Sequence, residues 1–259
     1  MTGPSRTLKP GDLAKLAPLA GFAYFLDVDG TLLEIKPRPE DVVADASLRL
    51  LLTELMTASG GALALVSGRT IDDLDRIFTP LIFPAAGLHG AETRLPDGTR
   101  TSSSGRAMDG LRQPLADFVA QHSGLRLEDK GAALAVHFRQ TPALAEEVLE
   151  FLGELARKSG LAVQPGKMVA ELKESHHDKG SGIAALFAKP PFSGRRPVFI
   201  GDDLTDESGF LFVNENGGIS VRAGLAGPAT YARYRLPGPA SVRAELSLLL
   251  AGREASPVP

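Results

Sequence analysis

The sequence predicts an α/β protein, a doubly wound parallel sheet carrying a smaller α+β insert, and three observations predict it. Short apolar runs alternate with amphipathic segments towards both ends of the chain, the order that βαβ units require. Three of these runs stop abruptly in polar residues: 22–26 runs into Asp27-Val28-Asp29-Gly30-Thr31, 62–66 into Ser67-Gly68-Arg69, and 197–200 into Gly201-Asp202-Asp203. In open α/β sheets, ligands bind in the crevice at the carboxyl ends of the strands. The middle of the chain is richer in strands and turns, as an inserted lid would be.

The elements follow in order. After the strand at 22–26, Val42, Val43, Ala46, Leu48, Leu51, Leu52, Leu55 and Met56 keep helical spacing within a helix over 39–59, which Ser59-Gly60-Gly61 ends. The strand at 62–66 leads to a helix over 70–78, capped by Thr70, with Asp72 and Asp73 in its first turn. A strand at 81–86 completes a βαβαβ unit. Pro96-Asp97-Gly98 is a turn between two strand-like pieces of 87–105. A helix over 108–122, a strand or hairpin over 125–139, a helix over 142–159 and one or two strands over 161–172 come next. The α/β pattern then resumes: helix 179–188, strand 197–200, helix 206–213, strand 218–221 and a last helix 241–251, with 252–259 as a frayed tail. The domains expected are a core of 1–102 and 172–259 around an insert of 103–171.

Composition narrows the function. The 259 residues are 43% hydrophobic and 23% charged, enough for a sizeable core in one large domain or two smaller ones. A net charge of −3 gives no general attraction to nucleic acid or anionic membrane, so an anionic substrate needs a local cation. No cysteine is present, which excludes disulfides, thiol catalysis and cysteine-bound zinc and is compatible with the cytoplasm. No run approaches the roughly 20 apolar residues of a membrane helix, and the first 25 residues do not read as a signal peptide. A small-molecule ligand, no nucleic acid, no membrane and a monomer are the expectations. No further domain is expected ahead of the first motif, which begins near residue 22.

Four separate pieces carry chemistry. Asp27 and Asp29, placed side by side after a buried strand, are costly without a cation or a shared proton. Such a pair can serve as a nucleophile and a general acid–base. Gly30 allows close backbone approach, and Thr31 can hydrogen-bond a phosphate. Taken alone, the segment is also a plausible strand-end turn. Ser67, Gly68 and Arg69 offer a hydroxyl and backbone amides ahead of a helix, which can cradle phosphate oxygens or simply turn the chain. Lys179, near the start of a helix, can neutralise phosphoryl oxygens or be a solvated lysine. Asp202, Asp203, Thr205, Asp206 and Glu207 gather hard oxygen donors of the kind that suit Mg²⁺.

Taken together and in this order, Asp27-x-Asp29-Gly30-Thr31, Ser67-Gly68-Arg69, Asp178-Lys179-Gly180 and Gly201-Asp202-Asp203 resemble the four motifs of the haloacid dehalogenase (HAD) superfamily. The resemblance implies a HAD-like Rossmannoid core and a Mg²⁺-dependent phosphatase. Asp27 is then the nucleophile and Asp29 the acid–base, with Ser67 and Lys179 on the phosphoryl group. The Asp27 side chain, the Asp29 main-chain carbonyl and Asp202 hold Mg²⁺, with Asp203 and Asp206 acting through water or from behind the ligands.

The insert, lying between the second and third motifs, resembles a type C2 cap. Leu88-His89-Gly90-Ala91-Glu92, Leu127-Glu128-Asp129-Lys130-Gly131, Val136-His137-Phe138-Arg139 and Lys167 with Glu171-Leu172-Lys173 are similar to segments of the trehalose-6-phosphate phosphatases. That likeness implies that Glu128, Lys130 and Glu171 bind sugar hydroxyls, and that Thr31, Gly68, Arg69 and His89 lie on the substrate side of the core. Composition alone reads Glu128–Gly131 as a solvated turn. His89 and His137 are expected to orient loops or pack, and Arg139 is open between a phosphate contact and a surface charge. His176 and His177 precede the lysine motif. On an extended segment adjacent side chains point opposite ways, so joint metal ligation by this pair is not expected. Neighbouring readings are a sucrose-phosphate or a mannosyl- or glucosyl-phosphoglycerate phosphatase and a phosphomutase. A noncatalytic sugar-phosphate sensor is the reading from another class, and the presence of Asp27, Asp29, Lys179 and Asp202 together weighs against it.

Overall fold

In the computed structural model, residues 5–166, 168–227 and 229–254 are described. Lys167 and residues 255–259 of the expected tail lie outside them, whereas 252–254 of that tail are helical. Two compact units divide the chain, Met1–Thr101 with Lys179–Pro259 and the inserted Ser102–Asp178.

The first unit opens with β1 (Arg6–Thr7), α1 (Asp12–Leu16), β2 (Phe22–Leu26), α2 (Ala46–Ala58), β3 (Leu63–Val66), α3 (Ile71–Phe78), β4 (Ala85–Gly87), β5 (Glu92–Arg94) and β6 (Arg100–Ser102). The insert contributes α4 (Arg112–Ala120), β7 (Arg126–Asp129), β8 (Ala133–His137), α5 (Ala145–Ser159), β9 (Ala162–Gly166) and β10 (Val169–Lys173). The chain then returns through α6 (Lys179–Phe187), β11 (Arg196–Gly201), α7 (Glu207–Glu215), β12 (Ile219–Ala223), β13 (Tyr234–Leu236) and α8 (Pro239–Glu254). The insert continues past 171 because β10 runs on to Lys173 and a turn intervenes before α6.

The core sheet has the order β1-β13-β12-β11-β2-β3-β4-β5-β6. Its strands are parallel from β1 through β4, and β5 turns antiparallel against β4. This is the doubly wound sheet that the sequence predicts. β2 is buried along its whole length, and alternate residues face two different clusters. Phe22, Tyr24 and Leu26 pack with α2, α3 and α8 residues on one face, while Ala23 and Phe25 pack with Ile183, Phe192, Phe199 and Phe210 on the other. Period-two alternation sends side chains to opposite faces. With both faces covered, each strand reads as an unbroken apolar run.

Three expected elements are much shorter than predicted, one of them the helix of 108–122, which is confined to Arg112–Ala120. The helix of 39–59 begins only at Ala46, because Asp45 is extended and its carboxylate accepts the Leu48 N–H at 2.8 Å, which caps the first turn. The apolar Val42 and Ala44 ahead of it are buried from an extended segment instead. The strand of 81–86 is confined to Ala85–Gly87; Pro80 and Pro84 have no N–H to give a ladder. Three elements, β1, α1 and β13, are absent from the sequence reading. α1 is only five residues long, and buried Glu245 of α8 accepts the N–H groups of Gly11 and Leu13 at 2.8 and 3.1 Å. Its stability is therefore tertiary, without a sequence signature.

The insert is a four-stranded antiparallel sheet of order β7-β8-β10-β9 with helices on one side. Leu134, Val136, Ala170 and Leu172 face Leu115, Val148 and Leu152 of α4 and α5. Glu128, Ala135 and Glu171 are in register across β7, β8 and β10 and stay out of that cluster.

Candidate active site

Parallel register builds the core site. Ile200 of β11, Leu26 of β2 and Leu65 of β3 lie side by side. The residues just beyond them, Asp202, Asp27 and Ser67, therefore emerge together at one edge of the sheet. The Asp27 N–H extends the ladder to the Ile200 carbonyl at 2.9 Å, which fixes the backbone from which its side chain projects.

Both carboxylate oxygens of Asp27 are engaged. Lys179 Nζ donates to Oδ1 at 2.8 Å and Thr31 Oγ1 to Oδ2 at 3.0 Å. Lys179 also donates to Asp206 Oδ1 at 2.5 Å, and Asp206 Oδ2 accepts the N–H groups of Asp202 and Asp203, each at 2.8 Å. Asp27, Thr31, Lys179 and Asp206 are all buried. Burial, with Asp206 and Asp202 nearby, holds the Asp27 carboxyl well above the ordinary carboxylate range, although Lys179 lowers it. For Lys179, burial opposes the charge, but Asp206 and Asp27 outweigh it and hold the ammonium above its usual range. One lysine thus bridges two carboxylates from different strand ends.

Gly30 has φ +84°, and a Cβ there would lie 2.2 Å from Asp202 Oδ2. Glycine is required twice over, by the backbone angle and by the close approach of a carboxylate. The atoms of Asp27, Asp202 and Asp206 come within 4.8 Å of one another, an all-oxygen set that fits a hard divalent cation. Asp203 is not in that set. Its side chain accepts the Leu204 N–H at 2.7 Å and forms a reciprocal capping box with Asp206. The metal role expected for Asp203, through water or from behind the ligands, therefore competes with a structural one, and the sequence signal of that competition is the Asp-x-x-Asp spacing.

Arg69 holds Asp29. Its Nε and Nη2 donate to the two carboxylate oxygens at 2.6 and 2.7 Å, and its Nη1 donates to the Pro39 carbonyl at 3.0 Å. This planar fork fixes the orientation of the carboxylate. Sequence reasoning places Arg69 on the substrate and misses this partner forty positions away. Ser67 is buried and its Oγ accepts the Arg69 N–H at 3.2 Å. His89 is buried with its ring against Gly68, where a Cβ would meet Nε2 at 2.6 Å. Leu88 and His89 both adopt positive φ, 47° and 53°, and their N–H groups donate to the carbonyls of Arg69 and Ser67 at 2.8 and 3.0 Å. Two consecutive left-handed non-glycine residues are strained, of the kind that cluster at functional sites.

Within the insert, strand register aligns Glu128 with Ala135 and Ala135 with Glu171. The three share one sheet face, with alanine as the small residue between two glutamates. Lys130 Nζ donates to Glu171 Oε1, and both side chains are largely buried. Glu128 Oε2 pairs with His137 Nε2 at 2.7 Å. That hydrogen bond holds the Glu128 carboxyl below its usual range against the opposing effect of burial, and Lys130 adds to the lowering. Arg139 is exposed. The geometry of His176 and His177 departs from the extended-segment argument. Residues 174–177 form a turn closed by the His177 N–H on the Glu174 carbonyl at 3.3 Å, which brings the two imidazole centroids to 4.0 Å. Among the described residues, no helix is long and apolar enough to cross a membrane.

Comparison with known proteins bears on this arrangement. A family profile described as trehalose-phosphatase matches residues 25–240. A probable trehalose-phosphate phosphatase of Sinorhizobium fredii is 42% identical, with 89% of this chain and 88% of that protein aligned. The trehalose-6-phosphate phosphatase of Escherichia coli is also 42% identical, over 89% of this chain and 87% of its own. Among solved structures, a trehalose-6-phosphate phosphatase related protein superposes with a TM-score of 0.74 at 26% identity, covering 90% of this chain and 100% of that one. A Bacteroides thetaiotaomicron phosphatase of the haloalkanoate (HAD) superfamily shares the fold, with a TM-score of 0.61 at 18% identity over 91% of this chain and 97% of that one.

Proposed function

The chain belongs to the trehalose-phosphatase family, and we propose that it hydrolyses trehalose 6-phosphate to trehalose and phosphate in the cytoplasm, with Mg²⁺ as cofactor. The observation that carries this reading is the Asp27 carboxylate, buried at the end of the central strand with Lys179 on one oxygen and Thr31 on the other. Those two contacts orient the oxygen nucleophile, and Lys179 lowers its carboxyl against the burial that raises it.

Asp27 attacks phosphorus, the bond from phosphorus to the sugar oxygen breaks, and Asp29 gives a proton to the departing alkoxide. Asp29 then takes a proton from water as that water attacks the aspartyl-phosphate, which releases phosphate and restores Asp27. Arg69 keeps the Asp29 carboxyl aimed, and Lys179 and Ser67 receive the phosphoryl oxygens. Asp27, Asp202 and the Asp29 carbonyl would hold Mg²⁺, which when bound supplies positive charge against those oxygens. Asp206, with its oxygens on Lys179 and two main-chain amides, supports the loop that presents Asp202. Asp203 acts through water. Glu128, Lys130 and Glu171 take the sugar hydroxyls, for which charged acceptors and donors are strong partners.

Phosphate release from a panel of sugar phosphates with Mg²⁺ tests this. Preference for trehalose 6-phosphate is the expected result, lost in Asp27→Asn. Release from a different sugar phosphate overturns the roles given to Glu128, Lys130 and Glu171, and rapid release by Asp27→Asn removes the nucleophile.

A further inference from the structure

The turn that ends the insert gathers a second set of metal-ligating side chains. Glu174 Oε2 lies 3.2 Å from His177 Nε2 and 3.6 Å from His176 Nε2, and the three donor atoms fall within 4.8 Å of one another. Ligands at roughly 2.0–2.1 Å from a tetrahedral ion sit about 3.3 Å apart. The two distances from the carboxylate bracket that value before any ion arrives. We propose that Glu174, His176 and His177 form a binding site for a borderline divalent transition ion of the zinc class, separate from the carboxylate site of the core.

The surroundings are built for rigidity. Ser103 Oγ donates to the same Glu174 oxygen at 2.8 Å, as groups behind a metal ligand do when they orient it. Buried Lys173 donates through Nζ to the His177 carbonyl, and the His177 N–H closes the turn on Glu174. Glu174 is thereby held through its side chain and His177 through its backbone at both ends. His176 is the exposed partner, with its side chain 69% exposed, and its ring is already gathered against that of His177. Without an ion the two imidazoles share one carboxylate oxygen, so metal replaces two competing contacts by three bonds of its own.

The donor set selects the ion. Two imidazoles and one carboxylate suit zinc, cobalt, nickel or copper, whereas magnesium takes oxygen ligands and keeps several waters. Two histidines and a glutamate leave a fourth position to water. Glu174 and Asp178 outweigh Lys173 in charge along the segment, which favours a cation there.

The test is a Co²⁺ titration of the intact protein with Mg²⁺ in excess to occupy oxygen-only sites, followed by visible absorption. One equivalent with a tetrahedral, nitrogen-ligated spectrum is expected. His176→Ala alters an exposed side chain and should weaken binding at least about tenfold, and Ser103→Ala by about 10–100-fold. Absence of Co²⁺ uptake under excess Mg²⁺, or uptake unchanged in His176→Ala and in His177→Ala, overturns the proposal.

Discussion

Replacing Lys179 by methionine isolates the electrostatics on which the core site depends. The side chain is 4% exposed and its ammonium contacts Asp27 at 2.8 Å and Asp206 at 2.5 Å. Methionine fills much of the volume but leaves two buried carboxylates without their shared cation. Removing one partner of a buried ion pair typically costs about 3–5 kcal/mol, a large share of the roughly 5–15 kcal/mol by which a domain is folded. The sign of the pH dependence follows. Burial already raises the Asp27 carboxyl in the folded chain, with Lys179 the largest influence pulling it down, so the substitution raises it further. A carboxyl raised in the folded state binds more protons there than in the unfolded chain between the two pKa values. The variant should therefore gain stability as the pH falls from 7 towards about 4, the unfolded carboxylate range, and lose it again as the pH rises. Urea denaturation in EDTA at pH 7 and pH 5 measures both quantities. Adding Asp206→Asn to the variant should restore part of the loss at pH 7, because it removes one of the two stranded charges. A loss below about 1 kcal/mol at pH 7, or one equal at both pH values, would refute the view that this lysine neutralises buried charge.

Other perturbations address the remaining parts of the site. Gly30→Ala puts a methyl group 2.2 Å from Asp202 Oδ2 at φ +84°; a backbone cost of about 1–2 kcal/mol and weaker Mg²⁺ binding by calorimetry are expected, and unchanged Mg²⁺ affinity would contradict the close approach. Arg69→Lys replaces a two-pronged contact with Asp29 by a point charge. Its kcat should fall about 10–100-fold, as misplaced catalytic groups do, with KM for aryl phosphate nearly constant; an unaltered kcat would show that the fork is dispensable. Glu128→Ala removes a charged acceptor worth about 1.5–3 kcal/mol, so kcat/KM for trehalose 6-phosphate should drop about 10–150-fold while aryl phosphate turnover holds. Equal losses on both substrates would remove Glu128 from the sugar site.

Legibility in the sequence tracks how local each determinant is. The strands β2, β3 and β11 are readable because a strand covered on both faces is a short uninterrupted apolar run, and a polar residue can follow only where the run leaves the sheet. Asp27, Ser67 and Asp202 are therefore visible as strand ends from the residue pattern alone. Contacts across the chain are not visible in this way. Nothing near Arg69 signals that its fork closes on Asp29, and nothing near Asp206 signals Lys179, although the Asp203-x-x-Asp206 spacing does announce a capping box. The short α1 and β13 are illegible for the same reason, being held by Glu245 and by sheet neighbours and not by their own periodicity. The pairing of His176 with His177 escapes a reading that assumes extended backbone, and the three-residue interval back to Glu174 that closes a turn is the cue to it.

The insert shows what a single period-two pattern can settle once register is known. Ala133, Ala135 and His137 alternate with Leu134 and Val136, and only the second pair enters the hydrophobic cluster. Ala135 then stands between Glu128 and Glu171, so two acids share one face with only a methyl group between them. Each acid already has a partner, Lys130 for Glu171 and His137 for Glu128. A buried carboxylate left alone would favour its protonated form, which accepts hydrogen bonds poorly; the contact with His137 keeps Glu128 ionised. A carboxylate offers about four lone-pair sites, so that contact uses one and leaves Glu128 acceptor capacity for hydroxyl donors. A neutral, hydroxyl-rich ligand can add to such a face without displacing these contacts, whereas a second anion would have to compete with them. That asymmetry supports the proposal, drawn from the family likeness, that the insert takes the sugar while lysine, serine and main-chain donors of the core take the phosphate.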